Sequence, residues 1–352
     1  MRPDDKGMSL GQAVVGRGEK RGRTTRRVRG YGMRWYRFVT LAVVIGVVAF
    51  GAGSAVSASK SGQGKDLVER FSFEGQKRAY LLHLPSGYDK KKPLPLVVAL
   101  HYYTGTGRAE AEQTGFSAKA DEERFIVAYP DGPIPGPTGL SWDIWHNPRD
   151  KQGSGDVAFV RELIRRLSAR FAVDPKRIYV SGMSQGGMVA HLVGCELSSV
   201  IAAIAPVGAF LTAQPRSADP VSVLIIHGTA DPVVPYRGGT LGGGTQRRGG
   251  GPRRGGRGRT QGAGGGRLPI PPVSETASIW VAHNGCSPKA KKTQQGKVIK
   301  ELYTGGKAGT EVAVYTIVGG GHDWPGDRND KSGSGLEATD AVWEFFEKHP
   351  KR

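Results

Sequence analysis

The chain has 352 residues, 38% of them hydrophobic, and a formal net charge of +19. That content suits a globular core, while two cysteines are too few for a disulfide framework and no C-x-x-C or H-E-x-x-H spacing marks a metal site. The charge sits mainly in two tracts, residues 1–32 with a surplus of six and residues 238–267 with a surplus of seven. What remains is only mildly basic, which argues against a nucleic-acid binder.

In chain order, Arg34 and Arg37 precede an uncharged stretch, residues 38–59, that ends Val56-Ser57-Ala58. A positive flank, an apolar stretch and a small-residue exit predict a secretory signal peptide cleaved after Ala58. The stretch is also just long enough for an uncleaved membrane anchor, which stays as the rival. Counted from Met33, residues 33–58 form a leader of ordinary size. We therefore expect Met33 to be the true start and residues 1–32 a basic Gly/Arg-rich extension.

From about residue 67 strands and helices alternate. Arg78–Leu84, Leu94–His101, Phe125–Tyr129, Arg177–Ser181, Ala202–Val207, Val221–His227 and Val312–Val318 read as strands. Ala109–Glu123, a helix capped by Asp156 and running to Phe171, Gln185–Leu197, Thr276–Asn284 and Leu336–Lys348 read as helices. In the helix capped by Asp156, Val160, Leu163, Ile164, Leu167 and Phe171 share one face. Such alternation predicts an α/β fold with a mainly parallel sheet covered on both faces. The segment 238–267 breaks the rhythm with glycine and arginine runs that bury too little to order themselves. It reads as a low-complexity insertion in a surface loop, with contact to anionic polymers as the other reading. Cys195 and Cys286 either form one bridge or stay as buried small hydrophobes, the latter being favoured.

Gly182-Met183-Ser184-Gln185-Gly186 matches the G-x-S-x-G nucleophile elbow, preceded by the strand R-I-Y-V-S and opening a helix. A second match around Ser9 has no strand before it and is a decoy. A serine hydroxyl needs a base, and the base an acid to orient it. Asp231 follows the strand V-L-I-I-H, and His322 follows V-A-V-Y-T-I-V, giving the order Ser, Asp, His expected of the α/β-hydrolase fold. His83 and His191 read as structural, His349 lies at the end of the terminal helix, and His227 is a competitor that breaks the order. The oxyanion hole is assigned to the backbone N–H groups of Gln185 and Tyr103. Tyr102, Trp142, Trp145 and Trp324 lie in loops on the same edge and are expected to contact substrate, with core packing as the alternative for the tryptophans.

The stretches G-D-V-A-F-V (155–160), R-I-Y-V-S-G-M-S-Q-G-G-M (177–188), I-I-H-G-T-A-D-P-V-V-P-Y (225–236) and G-G-G-H-D-W-P-G (319–326) resemble secreted esterases of the polyhydroxybutyrate depolymerase and feruloyl esterase type. The resemblance implies hydrolysis of carboxylic esters (polyester, feruloyl or acetyl) by an α/β-hydrolase domain over 59–352, secretion, no cofactor and no metal. It carries Ser184 over as nucleophile, Asp231 as acid and His322 as base. Tyr102 stands where comparable esterases have glycine, and the cysteine that often follows Cys286 is missing. The expected partner is an ester substrate, polymeric or small, with no nucleic acid and a membrane only if the leader is retained. A secreted peptidase on the same fold and a polyanion binder using 238–267 remain the other function classes.

Overall fold

The computed structural model describes residues 64–136, 139–143, 155–240 and 269–352. The leader at 33–58, the extension at 1–32 and nearly all of the 238–267 insertion lie outside them. Strands β1 (Lys65–Phe73), β2 (Gln76–Leu84), β3 (Leu94–Leu100) and β4 (Ile126–Pro130) enclose helices α1 (Gly107–Thr114) and α2 (Phe116–Glu123). A short hairpin, β5 (Ile134–Pro135) with β6 (Leu140–Ser141), precedes α3 (Gly155–Arg170), β7 (Val173–Met183), α4 (Gln185–Leu197), β8 (Ala203–Val207) and β9 (Ser222–Gly228). The pair β10 (Gly239–Thr240) and β11 (Pro269–Ile270) comes next. Then follow α5 (Val273–Asn284), β12 (Lys291–Gln295), β13 (Val298–Tyr303), β14 (Val312–Ile317) and α6 (Ala338–Lys348).

Ten strands form one sheet in the order β1-β2-β4-β3-β7-β8-β9-β14-β13-β12. The run from β4 to β14 is parallel, and antiparallel strands close both edges. The alternation of β3 explains the two cores. Leu96, Val98 and Leu100 belong to the same core as Phe159, Leu163, Val193 and Trp280 of α3, α4 and α5. Val97 and Ala99 meet Phe116, Tyr179 and Phe346 on the other side. Continuous apolar runs such as L-P-L-V-V-A-L are what a strand covered on both faces requires.

Three expectations change. The single helix over 109–123 is two, because Gly115 adopts φ 65 and ends α1 before Phe116 starts α2. Asp156 lies inside the first turn of α3, where it pairs with buried Arg78 at 3.5 Å and accepts the Asp143 N–H at 2.5 Å. Strands β1, β12 and β13 appear where no strand was expected. Cys195 and Cys286 are both free and buried, as favoured. The two ends of the arginine-glycine insertion are joined by the pairing Gly239↔Ile270 and Thr240↔Pro269. Among the described residues no helix is long and apolar enough to cross a membrane.

Phe346 of α6 is fully buried and stacks on Tyr179 of β7, with centroids 4.6 Å apart and planes 5° from parallel. Truncating such a ring leaves a cavity that a two-sided sheet cannot collapse. Phe346→Ala is expected to lower stability by about 3–5 kcal/mol, read as a shift of the urea unfolding midpoint at unchanged slope.

Candidate active site

The site starts with a local strain. Ser184, between β7 and α4, has φ 54 and ψ −116, a conformation that non-glycine residues hold only when their surroundings force it. Its N–H donates to Val207 O (2.8 Å), and its carbonyl accepts the Met188 N–H (3.0 Å), fixing the turn from both sides. A Cβ at Gly182 would lie 2.6 Å from the Gly186 carbonyl carbon, and one at Gly186 would collide with the Leu100 carbonyl. Both glycines are therefore demanded by the close passage of the elbow over the end of β3. The outcome is a serine at the carboxyl edge of the sheet, where sites in α/β folds collect.

Asp231 and His322 reach the same point from neighbouring strands. Gly228 of β9 passes so close to Gly320 that a side chain would clash. Ala230 N–H donates to Gly320 O (2.9 Å), and Gly319 N–H to Thr229 Oγ1 (2.8 Å), so the acid and base loops are tied together. His322 Nδ1 lies 2.7 Å from Asp231 Oδ2, and His322 Nε2 lies 2.9 Å from Ser184 Oγ. With the proton of the ring held on Nδ1 by the carboxylate, Nε2 is left free to accept from the hydroxyl. Burial pushes the Asp231 carboxyl up, but hydrogen bonds from His227, His322 and the Val234 N–H outweigh it. The group is held well below the usual carboxylate range. Its other oxygen, Oδ1, accepts the N–H groups of Val233 and Val234, both at 2.8 Å.

His227, the competitor in sequence, belongs to the acid rather than to the serine. Its Nε2 lies 2.8 Å from Val234 O and 3.4 Å from Asp231 Oδ2. The carbonyl can only accept, so Nε2 carries the hydrogen and the ring braces the acid turn. Three others make structural contacts, as expected for His83 and His191. His83 lies between Asp66 and Asp121, His191 accepts the Trp280 indole N–H, and His349 meets Glu311.

The two candidate oxyanion donors are linked by a chain of contacts that sequence reasoning missed. Gln185 opens α4, where the first N–H groups have no intrahelical acceptor. Its side chain spans Trp142, accepting from the backbone N–H and donating to the carbonyl, both at 3.0 Å. The Trp142 indole N–H donates to His101 O (2.8 Å). Gly132 N–H donates to His101 Nε2 (2.9 Å), so His101 Nδ1 carries the proton and donates to Tyr102 O (2.8 Å). Burial pushes the His101 pKa down and keeps the ring neutral for this arrangement. The loop bearing Tyr103 is thus fixed relative to Gln185 through Trp142 and His101. A partial signal was present: a histidine at the end of β3 and a glutamine after the nucleophile.

Trp142 and Trp324 are each only 1% exposed, which is the core-packing alternative of the two readings. Trp142 serves in the chain just described. Trp324 donates its indole N–H to Thr339 and meets Phe116 edge-on. Trp145 lies outside the described residues. Tyr103 is 57% exposed, and Tyr102 is half-buried on the wall of a cleft beside it.

Residues 78–236 match the model of a family described as esterase PHB depolymerase. Feruloyl esterase B of Piromyces equi is 32% identical over 253 residues, which is 70% of this chain and 42% of that protein. Feruloyl esterase C of Emericella nidulans is 26% identical over 312 residues, covering 85% of this chain and 96% of that one. The solved acetyl xylan esterase from Aspergillus awamori superposes with a TM-score of 0.56 at 15% identity, over 81% of this chain and 99% of its own. That likeness shows a shared fold, the α/β-hydrolase fold.

An activated serine reacts with fluorophosphonates faster than an ordinary one, and the reaction uses the same oxyanion donors. Gln185→Leu, which removes the clasp on Trp142, is expected to slow labelling of Ser184 by about ten- to a hundredfold and, by leaving the buried Trp142 N–H and carbonyl unpaired, to lower the thermal midpoint. Equal labelling rates would separate the clasp from the site's chemistry.

Proposed function

We propose that this chain, a relative of the esterase PHB depolymerase family through residues 78–236, hydrolyses carboxylic esters by an acyl-enzyme mechanism on Ser184. The observation that carries the reading is the unbroken line Ser184 Oγ, His322 Nε2, His322 Nδ1, Asp231 Oδ2, with spacings of 2.9 and 2.7 Å. Ser184 Oγ attacks the ester carbonyl carbon as His322 Nε2 takes its proton. The N–H groups of Gln185 and Tyr103 receive the developing oxyanion. Collapse of the tetrahedral intermediate breaks the C–O bond, and His322 returns the proton to the leaving alcohol. Water, deprotonated by the same nitrogen, then releases the acid and restores the serine.

Relatives named feruloyl esterase and acetyl xylan esterase, and a family named for polyhydroxybutyrate depolymerase, support esters of those kinds as substrates. The first of these relatives is spanned for only 42% of its length, so the inference is to the ester-cleaving domain. Secretion is part of the proposal and rests on the leader pattern at 33–58.

The mechanism needs no metal, and the roles are separable. Ser184→Ala is expected to abolish hydrolysis of p-nitrophenyl acetate. Asp231→Asn leaves the chain folded but presents the wrong tautomer of His322, and should lower kcat by about 10⁴. Since Asp231 stays ionised well below the usual carboxylate range, its protonation does not set the acid limb of the kcat/KM profile between pH 5 and 8 in the parent protein. Full activity in Ser184→Ala would refute the reading.

A further inference from the structure

Five non-glycine residues among those described hold a positive φ: Glu74, Thr104, Arg124, Ser184 and Ala308. Three of them belong to ordinary turns. Glu74 precedes Gly75 between β1 and β2, Arg124 ends α2, and Ala308 lies in a short 3₁₀ turn over Lys307–Gly309. The other two, Ser184 and Thr104, follow the adjacent strands β7 and β3 at the carboxyl edge of the sheet. Thr104, with φ 66, is the only β-branched residue of the five, and a branched side chain resists that conformation most. Such an outlier persists only where its surroundings hold it.

Thr104 directly follows Tyr103, the candidate oxyanion donor. The Gly105 N–H donates to Tyr102 O (2.9 Å), which closes a four-residue turn over Tyr102–Gly105. Thr104 has a positive φ and Tyr103 does not, so the turn is of type II. That type favours glycine at its third position. A type I turn spans the same ends without the strain and differs by turning over the peptide between Tyr103 and Thr104. The hairpin of β5 and β6 lies against the strained form. Leu140 N–H donates to Gly105 O (3.0 Å), and these two residues pair as an isolated bridge. Gly139, just before, passes so close that a Cβ there would collide with the Thr104 carbonyl. Gly139 is not among the glycines at positive φ, so the close approach is what requires it. The chain through Trp142 and His101 reaches the loop at Tyr102 O, whereas the hairpin reaches it at Thr104 and Gly105.

We propose that Gly139 is a positioning residue for ester cleavage: packed against the Thr104 carbonyl, it holds the turn in its type II form and so fixes where the Tyr103 amide meets the oxyanion. This inference rests on the acyl-enzyme reading, with Tyr103 as a donor, and deepens it. Sulfur accepts hydrogen bonds poorly, so an oxyanion hole prefers an ester to the thionoester that carries sulfur in place of the carbonyl oxygen. The ratio of the two rates cancels the concentration of folded sites, which a merely structural role would change. For p-nitrophenyl acetate against its thiono analogue, Gly139→Ala is expected to lower the ratio of kcat/KM by about tenfold. Labelling by a fluorophosphonate should slow in parallel and still run to completion. Thr104→Pro, whose φ is locked negative, is expected to do the same and takes the place of Gly139→Ala if that variant does not fold. An unchanged ratio in a folded, fully labelled variant overturns the proposal, even where the thermal midpoint has dropped, and leaves the esterase reading standing. Failure of the parent protein to hydrolyse p-nitrophenyl acetate overturns both.

Discussion

The passage of the Ser184 elbow over the end of β3 is the constraint on which the rest depends. The positive φ of Ser184 costs about 1–3 kcal/mol in isolation, and it persists only because the flanking elements have nowhere else to go. Strand β7 is held between β3 and β8, and α4 lies against both β7 and β8. Gly182 and Gly186 let the two chains approach to where any Cβ would strike backbone. The same approach brings the first residue of α4 beside the loop that leaves β3. The position of Ser184 and the position of the candidate oxyanion donors are therefore one geometric fact.

Electrostatics then selects the working partner. A carboxylate removed from water is costly unless its lone pairs are occupied, and Asp231 is met by two backbone N–H groups and two histidine rings. That environment keeps it charged, and the charge fixes the His322 tautomer. His227 spends its hydrogen on the acid turn, which is why a second imidazole so near the acid does not compete for the serine. The ties between Gly228–Asp231 and Ile317–His322 hold acid and base in register across two adjacent parallel strands.

The parts of this arrangement readable in the sequence are those set by local rules. Strand, small residue, serine, small residue, helix is a local steric requirement, so Ser184 stood out. Apolar runs such as V-L-I-I-H and V-A-V-Y-T-I-V marked the strands that deliver Asp231 and His322. What escaped depends on contacts distant in sequence. Gln185 and Trp142 are 43 residues apart, and nothing in either neighbourhood announces their clasp. The tryptophans looked like substrate contacts because they lie in site loops, yet burial against His101 and Phe116 claimed Trp142 and Trp324. Strand β12, K-K-T-Q-Q, is exposed along its whole length, and its lysines suit a sheet edge that must not pair further. Its polarity hid it. Gly115 split one expected helix in two because a left-handed residue ended α1 where the apolar pattern continued.

The most direct measurement of the central claim is intact-protein mass spectrometry after rapid acid quenching of the enzyme with a slowly deacylating aryl ester, followed by peptide mapping. The account predicts one added acyl group, carried by the peptide that contains Ser184 and absent from Ser184→Ala. Turnover of the ester with no acyl adduct, or with the adduct on another residue, would contradict it.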